Sequence, residues 1–262
     1  MLDVGAYLVR IGYEGSTVPS ATVLRDLHRA HLFAVPFENL DIHLGRPIVL
    51  DGSAIVRKVV AEGRGGFCYE LNGAFAALLE AMGFGVARLS AGVMGEGGFG
   101  PPFDHLLLEV TVEDDPRPWI VDVGFGEGFL EPLPLEIDEE QEQDTGTYRI
   151  GAHDDRGDLV LWRRSGADAR FEPQYRFART PHELGEYAEM CRFHQTSPDS
   201  HFTRQRVCSL ATPEGRITLS EHAVIVTRHG RRAVRKVRGD AEYRSALREH
   251  FGIALDGPWV SP

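Results

Sequence analysis

The chain has 262 residues, 42% apolar and 26% charged, a soluble globular composition with room for one large unit or two to three compact ones. Its net charge of −11 argues against a nucleic-acid binder, which carries a basic balance or patch, and against adhesion to acidic membranes. Three cysteines at wide spacings make no disulfide framework and suit a reducing compartment. Met1-Leu2-Asp3-Val4 has no basic segment leading into an apolar core, as a signal peptide would. No apolar run approaches the roughly 20 residues of a membrane helix, so a cytoplasmic location is expected.

The first third reads as helical. Pro19 and Ser20 open a segment with Val23, Leu24, Leu27 and His31 on one face, closed by Pro36. A second helix starts near Ser53 and stops by Gly63. A third begins at Cys68, repeats apolar residues at Leu71, Phe75, Leu78, Leu79 and Met82, and stops at Gly83. The period then changes to that of strands: Val86 to Gly92, His105 to Val112 and Trp119 to Val123, with Gly95 to Pro102 as a loop and Asp114 to Pro118 as a turn. Tyr148 to Gly151, Leu159 to Arg163 and Gln174 to Phe177 continue the pattern, and the acidic run Glu136 to Asp144 reads as a solvated loop. Thr180 caps a helix over Pro181 to Cys191. Short strands at Arg206 to Ala211, Gly215 to Ser220, Ala223 to Arg228 and Arg232 to Lys236 precede a last helix, Asp240 to Phe251. The basic stretch Arg228 to Arg238 reads as a solvated edge hairpin. Helices, then strands, then a mixed end make this α+β.

Chemistry gathers at Arg64-Gly65-Gly66-Phe67-Cys68, where a Gly-Gly turn that reads as flexible delivers a thiol to a helix N-terminus. The positive end of the helix dipole favours a thiolate there; a small buried hydrophobe is the plain alternative. A nucleophilic cysteine needs a base and a group to hold that base. Most of the 11 histidines lie on helix faces or in polar loops. His105 instead starts an apolar strand directly after a Gly/Pro loop, where scaffolds place reactive side chains. Asp122 interrupts Trp119-Ile120-Val121-Asp122-Val123, and a carboxylate there needs a partner. His105 on a neighbouring strand would supply it; a satisfied core carboxylate is the other reading.

With these stretches in view, the chain resembles the arylamine N-acetyltransferases. Arg64 to Asn72 looks like their nucleophile motif, Asp104-His105 like their histidine strand, and Val121-Asp122-Val123-Gly124-Phe125-Gly126 like their aspartate motif. Tyr7 to Gly12, Val35 to Leu40 and, more loosely, Ser200-His201-Phe202 fit as well. The resemblance implies a Cys68-His105-Asp122 triad. It implies three parts: a helical bundle (1–84), a β-barrel (85–180) and an α/β lid (181–262). It also implies acetyl-coenzyme A as co-substrate with no metal, and arylamines, hydrazines or arylhydroxylamines as acceptors. By analogy Phe37, Val93, Phe125 and Phe202 would line an apolar amine pocket, and Gly124 and Gly126 would let the backbone approach the pantetheine arm. Arg64 and Glu38 would pair beneath the cysteine turn. Glu127, an acid in the loop tied to acceptor choice, would disfavour anionic aromatic acids. Two other readings stay open: an amide synthase or other thiol enzyme using the same triad on a different acyl group, and a non-catalytic zinc module built on Cys191, His194, His201 and Cys208.

Overall fold

A computed structural model describes residues 2–153, 157–166 and 168–260. Helices α1 (Val4–Ile11), α2 (Ala21–Ala34), α3 (Leu40–His43), α4 (Gly52–Val56) and α5 (Cys68–Met82) come first, with the two-residue strand β1 (Phe37–Glu38) between α2 and α3 and a π-helical turn over Arg57–Ala61. The Ser20 side chain caps α2 by accepting from Val23 N at 3.2 Å, and the helix stops one residue short of Val35-Pro36. Helix α5 ends at Gly83, whose φ of 95° is left-handed. Leu71, Ala74, Phe75, Leu78 and Leu79 of α5 are fully buried, as expected of a helix apolar on most of its surface.

Nine antiparallel strands follow: β2 (Gly85–Gly95), β3 (Gly98–Phe99), β4 (His105–Val112), β5 (Asp115–Val121), β6 (Leu133–Pro134), β7 (Glu140–Gln143), β8 (Gly146–Ala152), β9 (Leu159–Arg164) and β10 (Glu172–Pro181). Their order is β6-β5-β4-β2-β10-β9-β8-β7, with β3 folded back on β2. The sheet curls into a nearly closed barrel. At its seam Gln141 Nε2 donates to Pro134 O (3.0 Å) and Gln143 Nε2 to Glu131 O (2.8 Å). Leu107, Phe129, Tyr148, Leu161, Tyr175 and Phe177 fill the interior, while Leu106 and Leu108 of β4 face the core around α5. Burial on both faces explains the unbroken Leu106-Leu107-Leu108 run.

After a 3₁₀ turn at Leu184–Tyr187 come α6 (Ala188–Thr196) and α7 (His201–Arg204), then β11 (Val207–Thr212), β12 (Gly215–Ser220), β13 (Ala223–Arg228), β14 (Arg231–Lys236) and α8 (Gly239–Phe251). The second sheet runs β1-β11-β12-β13-β14, with Tyr243, Leu247 and Phe251 of α8 buried against Cys208, Leu219 and Val224. Its first strand is borrowed from the N-terminal region: Phe37 pairs with Ser209 and Glu38 with Cys208. Strand β14 is fully exposed at the other edge.

Four local expectations change. Within the acidic run, Glu140–Gln143 is strand β7, because alternate residues Gln141 and Gln143 turn to the seam while Glu140 and Glu142 face water. Gly98–Phe99, expected in a loop, pairs with Met94 and Gly95. Asp115 to Pro118 belongs to β5, the prolines lying where its ladder to β4 is interrupted. The helix expected from Pro181 starts seven residues later. Strand β10 stays extended through Thr180 and Pro181, where Pro181 pairs with Leu89 and His182 N donates to Arg88 O.

Candidate active site

The Cys68 turn is a rigid, crowded structure rather than a flexible one. A Cβ on Gly65 would lie 1.8 Å from Pro36 O, and one on Gly66 2.5 Å from Glu70 Oε2, so glycine at 65 lets the turn meet the Pro36 backbone and glycine at 66 leaves room for the Glu70 side chain. Glu38 N donates to Gly66 O at 2.8 Å, and Phe67 N to Glu70 Oε2 at 3.2 Å. A buried charge network braces the turn. Arg64 bonds Glu38 Oε1 through Nε (2.9 Å) and Nη2 (2.7 Å) and reaches Asp41 at 3.0 Å. Lys58 Nζ lies 2.7 Å from both Asp41 and Glu70. The expected Arg64–Glu38 pair is therefore part of a five-residue cluster. Against burial, the surrounding acids raise the pKa of Lys58 and Arg64. With three acids on two cations, burial pushes the Glu70 carboxyl up to about 7.

Cys68 opens α5 and is 3% exposed. His105 opens β4, opposite Ala91, and its Nε2 lies 2.8 Å from Asp122 Oδ2. Asp122 sits one residue past the end of β5 rather than inside it. Its Oδ1 accepts from Asn72 Nδ2 (2.9 Å) and Gly124 N (3.0 Å). Burial works against the charged ring of His105, but the Asp122 carboxylate, its hydrogen bond and the neighbouring Cys68 thiol push the pKa up to about 10. Burial likewise opposes the Asp122 charge, yet His105, Asn72 and Gly124 hold that carboxyl below its ordinary range. With Nε2 on Asp122, Nδ1 is the ring nitrogen left for the thiol. A Cβ on Gly124 would lie 2.8 Å from Cys68 Cα, so this glycine brings the loop after β5 onto the start of α5.

Asn72 joins α5, β4 and the loop after β5. Its Nδ2 also donates to Leu106 O (2.6 Å), and its Oδ1 accepts from Val123 N (2.9 Å). It stands four residues after Cys68, on the same helix face, and that spacing was the signal available in the sequence. His28, one of the histidines on helix faces, accepts from Asp122 N at 3.3 Å through Nε2 and donates from Nδ1 to Leu130 O at 2.8 Å. Burial lowers its pKa to about 4, which keeps the ring neutral for this role. Tyr175 packs against His105 (5.4 Å between centroids) and Phe125 (5.2 Å). Nothing in the sequence pattern singled it out.

The expected pocket residues form two groups. Phe37 lies 6.1 Å from Phe202 and beneath Gly126, whose Cβ position is 3.6 Å from the Phe37 ring and whose φ is 86°. Phe125 stands edge-on to His105 at 5.4 Å, and Val93 pairs with Tyr175. A narrow cleft beside Asp122 and Phe125 is bounded by Glu127, Gln174 and Tyr175. Glu127 is 67% exposed and paired with Arg163 at 3.3 Å. Its charge is compensated and solvated, which weakens the expected effect on anionic acceptors.

The residues of the zinc reading form no common ligand set, although the His194 and His201 rings lie 6.3 Å apart. Cys191 Sγ meets Gln195 at 3.2 Å, and Cys208 lies in the core under α8. Among the described residues no group of three or more His, Cys, Asp or Glu side chains is placed to hold a metal ion.

Over residues 20–260 the sequence matches the family described as N-acetyltransferase. It is 33% identical over 261 residues to the arylamine N-acetyltransferase of Mycolicibacterium smegmatis, covering 97% of this chain and 93% of that one. The chain belongs to the arylamine N-acetyltransferase family. Its mixed fold matches the arylamine N-acetyltransferase of Salmonella typhimurium with a TM-score of 0.90 at 31% identity, over 98% of this chain and 93% of that chain. A Mycobacterium marinum arylamine N-acetyltransferase in complex with CoA matches with a TM-score of 0.87 at 32% identity, over 96% and 93%. The protein is thus a transferase. No helix among the described residues is long and apolar enough to cross a membrane.

Proposed function

We propose that this enzyme carries an acetyl group from acetyl-coenzyme A to an arylamine, hydrazine or arylhydroxylamine by way of Cys68, with His105 as base and Asp122 as its anchor. The observation that carries the reading is the convergence at one point of a thiol at a helix N-terminus, a histidine beside it, and a carboxylate 2.8 Å from that histidine's far nitrogen. The arylamine N-acetyltransferase relatives and the CoA complex of the Mycobacterium marinum enzyme support the donor and acceptor classes.

Cys68 Sγ, with its proton held on His105, attacks the thioester carbonyl. The bond from that carbon to the coenzyme sulfur breaks, and coenzyme A leaves with the proton from His105. The amine nitrogen then attacks the acetyl-cysteine and gives a proton to His105, the bond to Sγ breaks, and the thiolate is restored. Asn72, Gly124 and His28 keep Asp122 and its loop in place, so the imidazolium of each half-reaction faces a fixed carboxylate. The Cys68 N–H, a helix donor without an intrahelical partner, meets the developing oxyanion. Phe37 and Phe202 form one wall of the acceptor site and Val93 and Phe125 the other, with Gly124 and Gly126 flanking the pantetheine arm. In this reading 1–84 is the helical bundle, 85–180 the barrel and 181–262 the lid. A working thiolate beside two further free thiols, Cys191 and Cys208, suits the cytoplasm.

The test is intact-mass measurement after incubation with acetyl-coenzyme A, with Cys68→Ala as control. One acetyl group on the wild type and none on the variant is expected. Labelling of the variant removes Cys68 as nucleophile. Turnover of only a longer acyl thioester favours the amide-synthase alternative.

A further inference from the structure

His105 is preceded by a residue on which three elements converge. Asp104 Oδ2 accepts from Val93 N of β2 at 3.0 Å. Its carbonyl accepts from the hydroxyl of Tyr69, the neighbour of Cys68 on α5, at 3.2 Å; the same hydroxyl lies 2.6 Å from Phe103 O. Its Oδ1 is 3.2 Å from His194 Nε2 of α6, which also reaches the Asp104 carbonyl at 3.3 Å. Nε2 thus faces two acceptors and carries a proton. Phe103, one residue earlier, is held at φ 65°, a left-handed conformation that costs a bulky residue energy and persists only under such constraint. The backbone leading into His105 is over-determined, and the buried His194 ring is the contact made from the C-terminal side.

That ring has a second task. His194 Nδ1 lies 3.3 Å from Ser200 Oγ, which accepts from Phe202 N at 3.2 Å. Phe202 packs edge-on against His194 at 5.3 Å and Phe67 at 5.6 Å. One imidazole therefore touches both the peptide in front of His105 and the segment that presents Phe202.

We propose that His194 and Asp104 are a positioning pair that couples the seating of the α6–α7 segment to the alignment of His105 with Cys68. This rests on the assignment of His105 as the base. Lid-side contacts made when coenzyme A binds would then be felt at the triad through one buried hydrogen-bonded pair.

The test compares His194→Phe, which fills the space without a donor, His194→Gln, which keeps one, Asp104→Asn, which mispairs with either His194 or Val93, and the double variant His194→Phe/Asp104→Asn. Each is followed by melting temperature and by the rate and half-saturation of Cys68 acetylation at increasing acetyl-coenzyme A. His194→Phe should slow acetylation at saturation about tenfold, the cost of one charge-assisted hydrogen bond at its lower end, with less than about a twofold change in half-saturation. Gln should recover to within about threefold, and the double variant should be no slower than the Phe variant. A Phe variant at the wild-type rate overturns the proposal. So does equal slowing by Phe and Gln, or multiplicative slowing in the double variant. If the Phe variant does not fold, Asp104→Asn at the wild-type rate is decisive against it. Failure of the triad assignment shows separately, as wild-type enzyme that gains no acetyl group on Cys68.

Discussion

Gly65→Ala puts a methyl group where the Pro36 carbonyl already is, 1.8 Å from its oxygen and 2.8 Å from its carbon. Restoring ordinary contact moves the turn or the Pro36 segment by about 1.5 Å, an overpacking that costs about 1–3 kcal/mol. The bonds Glu38 N to Gly66 O (2.8 Å) and Gly66 N to Pro36 O (3.4 Å) cross that seam, and each contributes about 1 kcal/mol. A total of about 3–5 kcal/mol corresponds to a melting temperature about 6–20 °C lower in a chain of this size. Cys68 lies three residues on and moves with the turn. A shift of about 1 Å between reacting groups lowers the rate about a hundredfold. Thermal unfolding and single-turnover acetylation of Cys68 by mass spectrometry read the two effects. Gly52→Ala, where no atom lies within 4 Å of the added carbon, is the control and should be neutral or slightly stabilising. Gly65→Ala with wild-type melting and acetylation would refute the claim that the turn is pressed against Pro36.

Asn72→Ala leaves Leu106 O, Val123 N and Asp122 Oδ1 each short of a partner. It should cost about 2–4 kcal/mol and slow acetylation; unchanged denaturant unfolding would count against Asn72 as the joint of the site. Asp122→Asn removes the carboxylate that holds His105 high while burial still pulls it down. The ring pKa should drop from about 10 to below 6.5 and turnover should fall about 10³- to 10⁴-fold; a His105 NMR titration still near 10 would contradict this. Because the folded pKa is raised, the stabilisation from the His105–Asp122 pair is complete below pH 6.5 and is lost as pH rises through about 10. The melting difference between wild type and His105→Gln should therefore shrink between about pH 7 and pH 10.5, and a difference that grows would reverse the sign.

Long amphipathic segments declared themselves. Ser20, Pro36 and Gly83 marked helix ends, and the α5 pattern placed Cys68 at its first residue. Short elements did not: α3, α7 and β1 hold two to four residues, too few for a period to show. Strand β7 hid in an acidic run because only its glutamines face protein, and Thr180 resembled a helix cap while its backbone was committed to β10. Cys68, His105 and Asp122 were each conspicuous for a local reason: a thiol behind a Gly-Gly turn, a histidine at a strand start, a carboxylate inside an apolar run. Asn72, His28, Tyr175, Lys58, Asp41 and Glu70 were not, since each looks like an ordinary helix or strand residue.

The amino-acid sequence by itself determined the local chemistry, which thiol leads a helix and which histidine and carboxylate stand ready to meet it, because caps, periods and glycines act over a few residues. Only the tertiary structure decided that α5, β4 and the loop after β5 meet within hydrogen-bond reach. It alone made Gly65 and Gly124 points of close backbone approach and placed His194 against Asp104. Those contacts join residues 17 to 90 positions apart, and their geometry follows from the packing of whole elements, which no local pattern encodes.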